Sequence, residues 1–308
     1  EKNASEDFVI QEIFFAGSQY ENGRSYSGDQ YIVVFNNSDK VLYADGLAIL
    51  ESRLLSTQKY DIVPNYISDY FMTQCVYVVP GNGFEHPVEP GKSITICDAG
   101  IDHRQINPNS IDLSSADFEW YDVSSNAAVQ DIDSESVDNL YKWYCYTNTI
   151  WLLHNRGFKA YAIARMQCDQ STFLSDYERE YSYVNVTSAG AFDMMGRCYV
   201  VPNSWIIDAV QCGVESEHPW NVIDNQLDRG FAHCGSTQND ATRYFKSVRR
   251  KLLRIESDGR PVLKDSNDSS SDFNNECVPS VFERQNASIS AEGEKALLIT
   301  WDGVTPVQ

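Results

Sequence analysis

Short runs of β-branched and aromatic residues alternate along this chain with breaks of Gly, Pro, Asn and Asp, a pattern typical of an all-β protein. Within residues 117–122, strict alternation places Phe118 and Trp120 on one face and Glu119 and Tyr121 on the other. The run at 29–35 is apolar on both faces, as in the middle of a sandwich. Strands are predicted at residues 7–15, 29–35, 75–79, 93–97, 117–122, 149–153, 159–165, 197–201, 204–210 and 295–301.

Helical signals are few, so the predicted fold is all-β with a minor helical part. Residues 171–180 predict two or three helical turns with Ser171 as the N-cap. Residues 243–255 fit a helix or a strand, because polar side chains alternate through Ser247, Arg249 and Lys251. We expect one elaborated domain over residues 1–308, with a weak division at the acidic segment 131–139.

Composition narrows the range of partners. The chain has 308 residues, 42% of them hydrophobic, and 44 acidic against 24 basic residues give a net charge of −20. Such a charge disfavours nucleic acids and anionic membrane surfaces as partners. No run reaches the roughly 18–20 apolar residues that span a bilayer, and the opening EKNASEDF is typical of a processed or trimmed chain. The eight cysteines form no C-x-x-C pair, and free thiols and disulfides both remain open for them.

Several phrases resemble known families. FVIQEIFFAGS, GDQYIVVFNNSDKVLYADGLAILES and VEPGKSITI resemble the opening strands and the Pro-Gly turn of lamin-tail-like domains, which have an immunoglobulin-like β-sandwich fold. VYVVPGNGFEHPVEPGKSITI, NPNSIDLSSADFEWYD, VPNSWIIDAV and FKSVRRKL…GRPVLKDSNDSSSDF resemble a family of Bacteroides-type surface lipoproteins, defined as a domain of unknown function. The second resemblance extends from about residue 7 to residue 282.

The family resemblance implies a location and a class of partner but no chemistry. It implies a secreted protein anchored to the outer membrane, at the cell surface or on the periplasmic face, through a lipid anchor absent from this chain. The implied partner is a glycan or an outer-membrane protein. The family supplies no catalytic residues, and the chain contains no G-x-S-x-G, P-loop, G-x-G-x-x-G or H-E-x-x-H motif.

Two acidic segments are candidate calcium sites, and no other cofactor is expected. Oxygen ligands two residues apart are how a calcium loop wraps its ion. The first segment departs from the EF-hand template, because Ser136 stands where Gly is needed and Lys142 where Glu is needed. Solvated loops held by Asx-turns are the alternative for both segments. The candidate ligands are Asp131, Asp133, Glu135 and Asp138 in the first, and Asp265, Asp268 and Asp272 in the second.

Two further surfaces are candidate ligand sites. The segment 240–264 is rich in basic residues, and its Arg249, Arg250 and Arg254 either bind an acidic ligand or pair with acidic residues of the protein itself. The stretch 140–154 is rich in aromatic residues that stack on sugars or anchor interfaces when they are exposed. At strand spacing one face of it must be core. Its candidate residues are Tyr141, Trp143, Tyr144, Tyr146 and Trp151.

The sequence therefore predicts a non-enzymatic accessory or binding protein of the bacterial envelope. The first alternative is a carbohydrate-binding module that uses exposed Tyr and Trp side chains. The second is a metal-assisted hydrolase, which depends on the acidic segments alone.

Overall fold

The computed structural model of the protein describes residues 3–217 and 220–296. The strands of the first half are β1 Phe8–Phe14, β2 Ser18–Gln19, β3 Ser25–Tyr26, β4 Tyr31–Asn36, β5 Leu42–Tyr43, β6 Leu47–Ser52, β7 Tyr70–Val78, β8 Pro87–Val88, β9 Ser93–Cys97, β10 Phe118–Glu119, β11 Asp138–Asn139 and β12 Tyr141–Cys145. Those of the second half are β13 Ala160–Arg165, β14 Glu178–Thr187, β15 Gly190–Pro202, β16 Ile206–Gly213, β17 Ala232–His233, β18 Ser247–Arg250, β19 Leu252–Ile255, β20 Pro261–Leu263 and β21 Phe273–Cys277.

Helices are short and few in the described ranges, which confirms the all-β prediction. They are α1 Gln170–Asp176, α2 Ser269–Asp272 and α3 Ser280–Gln285, with 3₁₀ turns at His103–Gln105, Asn203–Trp205 and Ala241–Arg243. The N-cap of α1 is Asp169, whose carboxylate accepts the Thr172 N–H, and not Ser171 as predicted. In the described part of the chain, no helix has the length and apolarity to cross a bilayer.

Two large sheets face each other. The first has the order β11-β10-β9-β4-β1-β18-β21. The second has the order β14-β15-β7-β6-β13-β16-β17, and β12 also pairs with β7. Three two-stranded ribbons, β2-β3, β5-β8 and β19-β20, complete the fold.

The main core lies between the two sheets. Ile32 and Ile96 from the first sheet pack in one cluster with Ile49, Tyr161 and residues of the same kind from the second. A bulge in β1 between Ile10 and Glu12 keeps this face apolar. Because the bulge inserts one residue, Ile13 returns to the inner face although it is three positions after Ile10.

The outer faces are also covered, which explains why so many strands are apolar on both sides. On the second sheet, Leu50 and Val200 pack with Phe173 of α1 and Ile223 of the β16–β17 connection. On the first sheet, α3 packs its Phe282 in another cluster. A sandwich covered on both outer faces therefore accounts for runs such as YIVVF.

Most of the predicted strands are present, and three regions require comment. Residues 149–153 were predicted as a strand but form none, because side chains bind their backbone. Trp151 N–H donates to Asp122 Oδ2 at 2.7 Å, and Leu153 N–H donates to the Gln30 side-chain oxygen at 3.0 Å. The predicted strand 295–301 lies outside the described residues from position 297 onward. Segment 243–255 contains strands and not a helix.

Candidate functional site

The aromatic stretch 140–154 contributes mainly to the core. Trp151 is 1% exposed, stacks on Tyr77 at 5.0 Å, and donates its indole N–H to Glu51. Trp143 is half-buried against the outer cluster of the second sheet. Both indoles are therefore largely withdrawn from solvent, and the exposed rings of this stretch are Tyr141 and Tyr146.

A bulge in β12 changes which side chains share a face. The register pairs Tyr141 with Val78 and Tyr144 with Val76, with the irregularity between Lys142 and Tyr144. Directly opposed residues lie on the same side of a sheet. Tyr141 and Tyr144 thus share a face, whereas regular alternation would place them on opposite faces.

The arginines of the basic segment hold carboxylates of the protein itself. Arg249 lies 3.3 Å from Glu12 and 3.0 Å from Glu283, and all three are buried. Arg250 is equally buried and contacts Asp208. Arg254 is exposed and pairs with Glu256 at 2.7 Å. Of the two alternatives for this segment, pairing within the molecule describes all three arginines.

The first acidic segment is a solvated loop whose carboxylates bind nearby groups. Asp131 accepts the Asp122 N–H at 2.8 Å, and Asp133 accepts the Asn139 side-chain amide at 2.8 Å. Glu135 and Asp138 are exposed. Burial raises the pKa of Asp131 to about 6.

The second acidic segment holds its own backbone and neighbouring cations. Asp272 accepts the Ser266 N–H and hydroxyl at 2.7 Å each. Asp265 lies 3.4 Å from Arg250, and Asp268 lies 3.3 Å from Arg229. Among the residues that the structure describes, no three His, Cys, Asp or Glu side chains are grouped as metal ligands.

A groove of about 710 Å³ lies at the end of the second sheet, in a place that none of the sequence candidates marked. One wall is the β6–β7 connection, residues 60–68, and the other is formed by residues 220–225 and 229–231 of the β16–β17 connection. Ser270 of α2 closes one side. Its size is in the range of small-molecule binding sites.

Trp220 is the most distinctive side chain of this groove. It is 42% exposed, although its backbone N–H is anchored to the Ser56 carbonyl. The Lys59 ammonium lies 4.9 Å from the ring centre, a cation–π distance. Tyr60 lines the same groove and meets Tyr183 of β14 edge-on at 5.1 Å. An aromatic ring is therefore held in place while a large part of it faces the solvent.

The polar lining is fixed from beneath by buried Gln211 of β16. Its amide nitrogen donates to Asn221 Oδ1 at 3.0 Å, and its carbonyl accepts the Val222 N–H at 3.0 Å. Asn221 in turn donates to Asn225. Because Gln211 itself is fully buried, these contacts set the shape of the wall rather than bind a ligand.

A buried carboxylate holds the opposite end of the same wall. Asp228 accepts the N–H groups of Gln211 and Gly230, at 2.7 and 3.0 Å, and the Ser269 hydroxyl at 2.6 Å. It joins β16, the groove wall and α2 in one network. Burial raises the pKa of Asp228 to about 6 in spite of these donors.

A second depression of about 750 Å³ continues from the groove and shares Asn225 and Arg229 with it. Its lining is polar, with amide and hydroxyl side chains and Lys264. The Lys264 ammonium donates to the Ser271 carbonyl at 3.1 Å. The two depressions are therefore adjacent, with aromatic and apolar side chains in the first and polar side chains in the second.

The two carboxylates that line the groove are Asp61, which is exposed beside Lys59, and Asp224, which binds the backbone. Asp61 is 84% exposed and lies 3.6 Å from Lys59. Asp224 accepts the Gln226 N–H at 2.7 Å. Neither has the buried setting in which enzymes tune a carboxylate for acid–base catalysis.

Sequence reasoning missed the groove because its walls lie 160 residues apart in the chain. One local signal was present, since Trp220 stands alone in the polar segment VESEHPWNVIDN. A single Trp among Glu, His and Asn residues is out of place in a core strand. It therefore indicates an exposed ring.

Comparisons with known proteins agree with the second resemblance, to a Bacteroides-type family defined as a domain of unknown function. The profile of a family described as a protein of unknown function, DUF4876, matches residues 89–280. The crystal structure of a DUF4876 family protein from Bacteroides thetaiotaomicron, at 2.50 Å resolution, is similar to this chain with a TM-score of 0.72. The two are 24% identical over 92% of this chain and 74% of the other, so the likeness shows the fold. No curated protein matches the chain.

Proposed function

We propose a binding function without catalysis for this chain, which belongs to the DUF4876 family of proteins of unknown function. The ligand is a carbohydrate, and the site is the groove between residues 60–68 and the β16–β17 connection. Exposed Trp220 is the observation that carries the proposal. The proposed aromatic binding surface is therefore Trp220 and not the stretch 140–154, which was the candidate from the sequence.

The chemistry of the lining matches that of a sugar. A pyranose ring has an apolar face of C–H groups and a rim of hydroxyls. The Trp220 ring supplies a flat apolar surface. The amides of Asn65, Asn221 and Asn225 line the same groove, and an amide both donates and accepts hydrogen bonds, as vicinal hydroxyls require. Pre-formed walls, held by Gln211, reduce the entropy lost on binding.

Titration calorimetry tests the site after a glycan array has identified a retained oligosaccharide. Trp220→Ala should weaken binding at least tenfold, because removing one stacking ring removes about 1.5 kcal/mol or more of contact energy. The matched control is Tyr141→Ala, which truncates an exposed ring of β12 outside the groove. Retention of no glycan on the array, or equal affinity of Trp220→Ala and the unmodified protein, would refute the proposal.

We further propose that the protein acts in the bacterial envelope, secreted and anchored to the outer membrane at the cell surface or on the periplasmic face. The family resemblance supports this, and an outer-membrane protein is then the expected protein partner. Fractionation of native cells, followed by protease treatment of intact cells, tests the location. Recovery of the protein in the cytoplasmic fraction would contradict it.

A further inference from the structure

Strands β14 and β15 form a long ribbon at one end of the second sheet. Ten consecutive residue pairs, from Glu178–Tyr199 to Thr187–Gly190, join them without a bulge. A two-residue turn, Ser188 and Ala189, connects the strands. β14 is the terminal strand of the sheet order, so one of its edges faces away from β15.

The distal part of that edge carries unpaired backbone groups. In an antiparallel ladder, alternate residues direct both N–H and C=O to the same neighbour. Ser182 turns outward, since it exchanges two backbone hydrogen bonds with Val63 on the far side from β15. Val184 and Val186 have the same outward direction. In the described ranges, no strand pairs with β14 beyond Ser182 on this side.

This edge also lacks the features that normally protect an edge strand. Proteins block such edges with Lys, Pro or bulges. Residues 181–192, YSYVNVTSAGAF, contain no charged residue and no proline in a chain that is 22% charged. The ribbon instead exposes large apolar side chains near its tip, namely Val184, Val186, Phe192, Met194 and Met195.

We propose that a second copy of this chain pairs with the β14 edge, strand against strand and antiparallel. A two-fold axis at Asn185 places Val184 of one copy opposite Val186 of the other. Both outward pairs of backbone groups then form hydrogen bonds, and the valine side chains meet on one face. A two-fold contact of this kind is self-complementary and closes on itself.

The occupant is a second copy because this edge is uncharged and self-complementary under a two-fold rotation. Two chains with a net charge of −20 repel each other over most of their surfaces. An uncharged strand is where identical copies can meet without like charges in direct contact. Four hydrogen bonds and a few side chains bury less than a standard interface, so the dimer is weak and concentration-dependent.

Sedimentation velocity of the full chain over a range of concentrations tests the proposal. The unmodified protein should shift from monomer to dimer as concentration rises, and Val184→Lys with Val186→Lys should weaken the dimer at least tenfold. Val123→Lys, which alters an exposed valine elsewhere, is the matched control. A protein that stays monomeric at every concentration, or a dimer unaffected by the two lysines, would overturn the proposal.

A cysteine pair tests the register without relying on destabilisation. Asn185 lies on the proposed axis, so in an Asn185→Cys variant the two new thiols oppose each other at a distance suited to a disulfide. Mild oxidation with diamide should cross-link this variant into dimers, visible on a non-reducing gel. Ser188→Cys, three residues along the same hairpin, should cross-link far less. Equal cross-linking of both variants would overturn the proposed register.

Discussion

Arg250 offers a direct test of how this fold accommodates buried charge. Its side chain is 1% exposed, and its guanidinium lies 4.6 Å from the centre of the Phe273 ring. It donates to the Ile10 carbonyl at 2.7 Å, to Asp208 at 2.5 Å and to the Lys264 carbonyl at 3.0 Å. One guanidinium thus joins β1, β16 and the end of β20.

Replacing Arg250 with Met keeps an unbranched apolar stem and removes the guanidinium and its charge. Asp208 and Asp265, both buried, then lose the cation that faces them. Breaking a buried ion pair by removing one partner costs about 3–5 kcal/mol. Urea unfolding at pH 8 should show a loss of that size. Arg254→Met, at an exposed pair with Glu256, should cost less than about 1 kcal/mol.

The loss in Arg250→Met should also depend on pH. Burial raises the pKa of Asp208 to about 7, and Arg250 opposes that rise. Without Arg250 the pKa of Asp208 rises further above its unfolded value, so the native state binds a proton more readily than the unfolded chain. Its stability therefore falls as pH rises. The free energy of unfolding that Arg250→Met loses relative to the unmodified protein should be smaller at pH 6 than at pH 8, by about 1–2 kcal/mol. A deficit below about 1 kcal/mol at pH 8, or one equal at both pH values, would refute this account.

Three further predictions concern Gln211, Asp131 and the pair of Cys75 and Cys145. Gln211→Met leaves the Val222 N–H without its acceptor, so it should lower the free energy of unfolding by about 1–3 kcal/mol and weaken glycan binding without touching the ligand. Because burial raises the pKa of Asp131 to about 6, the folded protein holds this proton more tightly than the unfolded chain, and stability falls as the pH rises through that value. Asp131→Asn should therefore reduce the stability lost between pH 5 and pH 8 by roughly 1 kcal/mol, measured by urea unfolding. Cys75 and Cys145 are directly opposed in β7 and β12, and burial raises the pKa of both thiols, so diamide should cross-link them faster at pH 9 than at pH 7, which peptide mass spectrometry checks.

The strand pattern was predictable from the sequence because burial on both sheet faces leaves uninterrupted apolar runs. Segment 149–153 shows the limit of that reasoning. Its apolar side chains are buried as expected, yet distant Asp122 and Gln30 satisfy its backbone in place of a neighbouring strand. The pattern of side chains reports burial. It does not indicate which group accepts the hydrogen bond of each backbone N–H.

The candidate sites were less predictable than the fold. From the sequence alone, the basic segment resembled a charged surface. Its carboxylate partners are distant in the sequence, as Glu12 is from Arg249. A one-residue bulge in β12 altered the faces of the aromatic stretch. Only folding brings Tyr60 and Trp220 to one groove. Pairings across 100 residues or more carry no local signal, so these sites required the structure.

The groove and the β14 edge are adjacent, so the proposed glycan binding and the proposed dimer together make one further prediction. Val63 lines the groove and also bridges Ser182 of β14. A dimer formed through β14 therefore presents two grooves, and a polysaccharide that engages both gains avidity of 10²–10⁴-fold without any new contact. Surface plasmon resonance on immobilised polysaccharide should show that gain, and Val186→Lys should abolish it.

Calorimetry with a short oligosaccharide separates the two proposals. Val186→Lys should leave this single-site affinity unchanged, because its change is at the dimer edge and not in the groove. Trp220→Ala should weaken it and should leave dimerisation intact. If Val186→Lys also weakens binding of the short oligosaccharide, the hairpin acts as part of the groove. The avidity argument would then be wrong, since it requires the two surfaces to act independently.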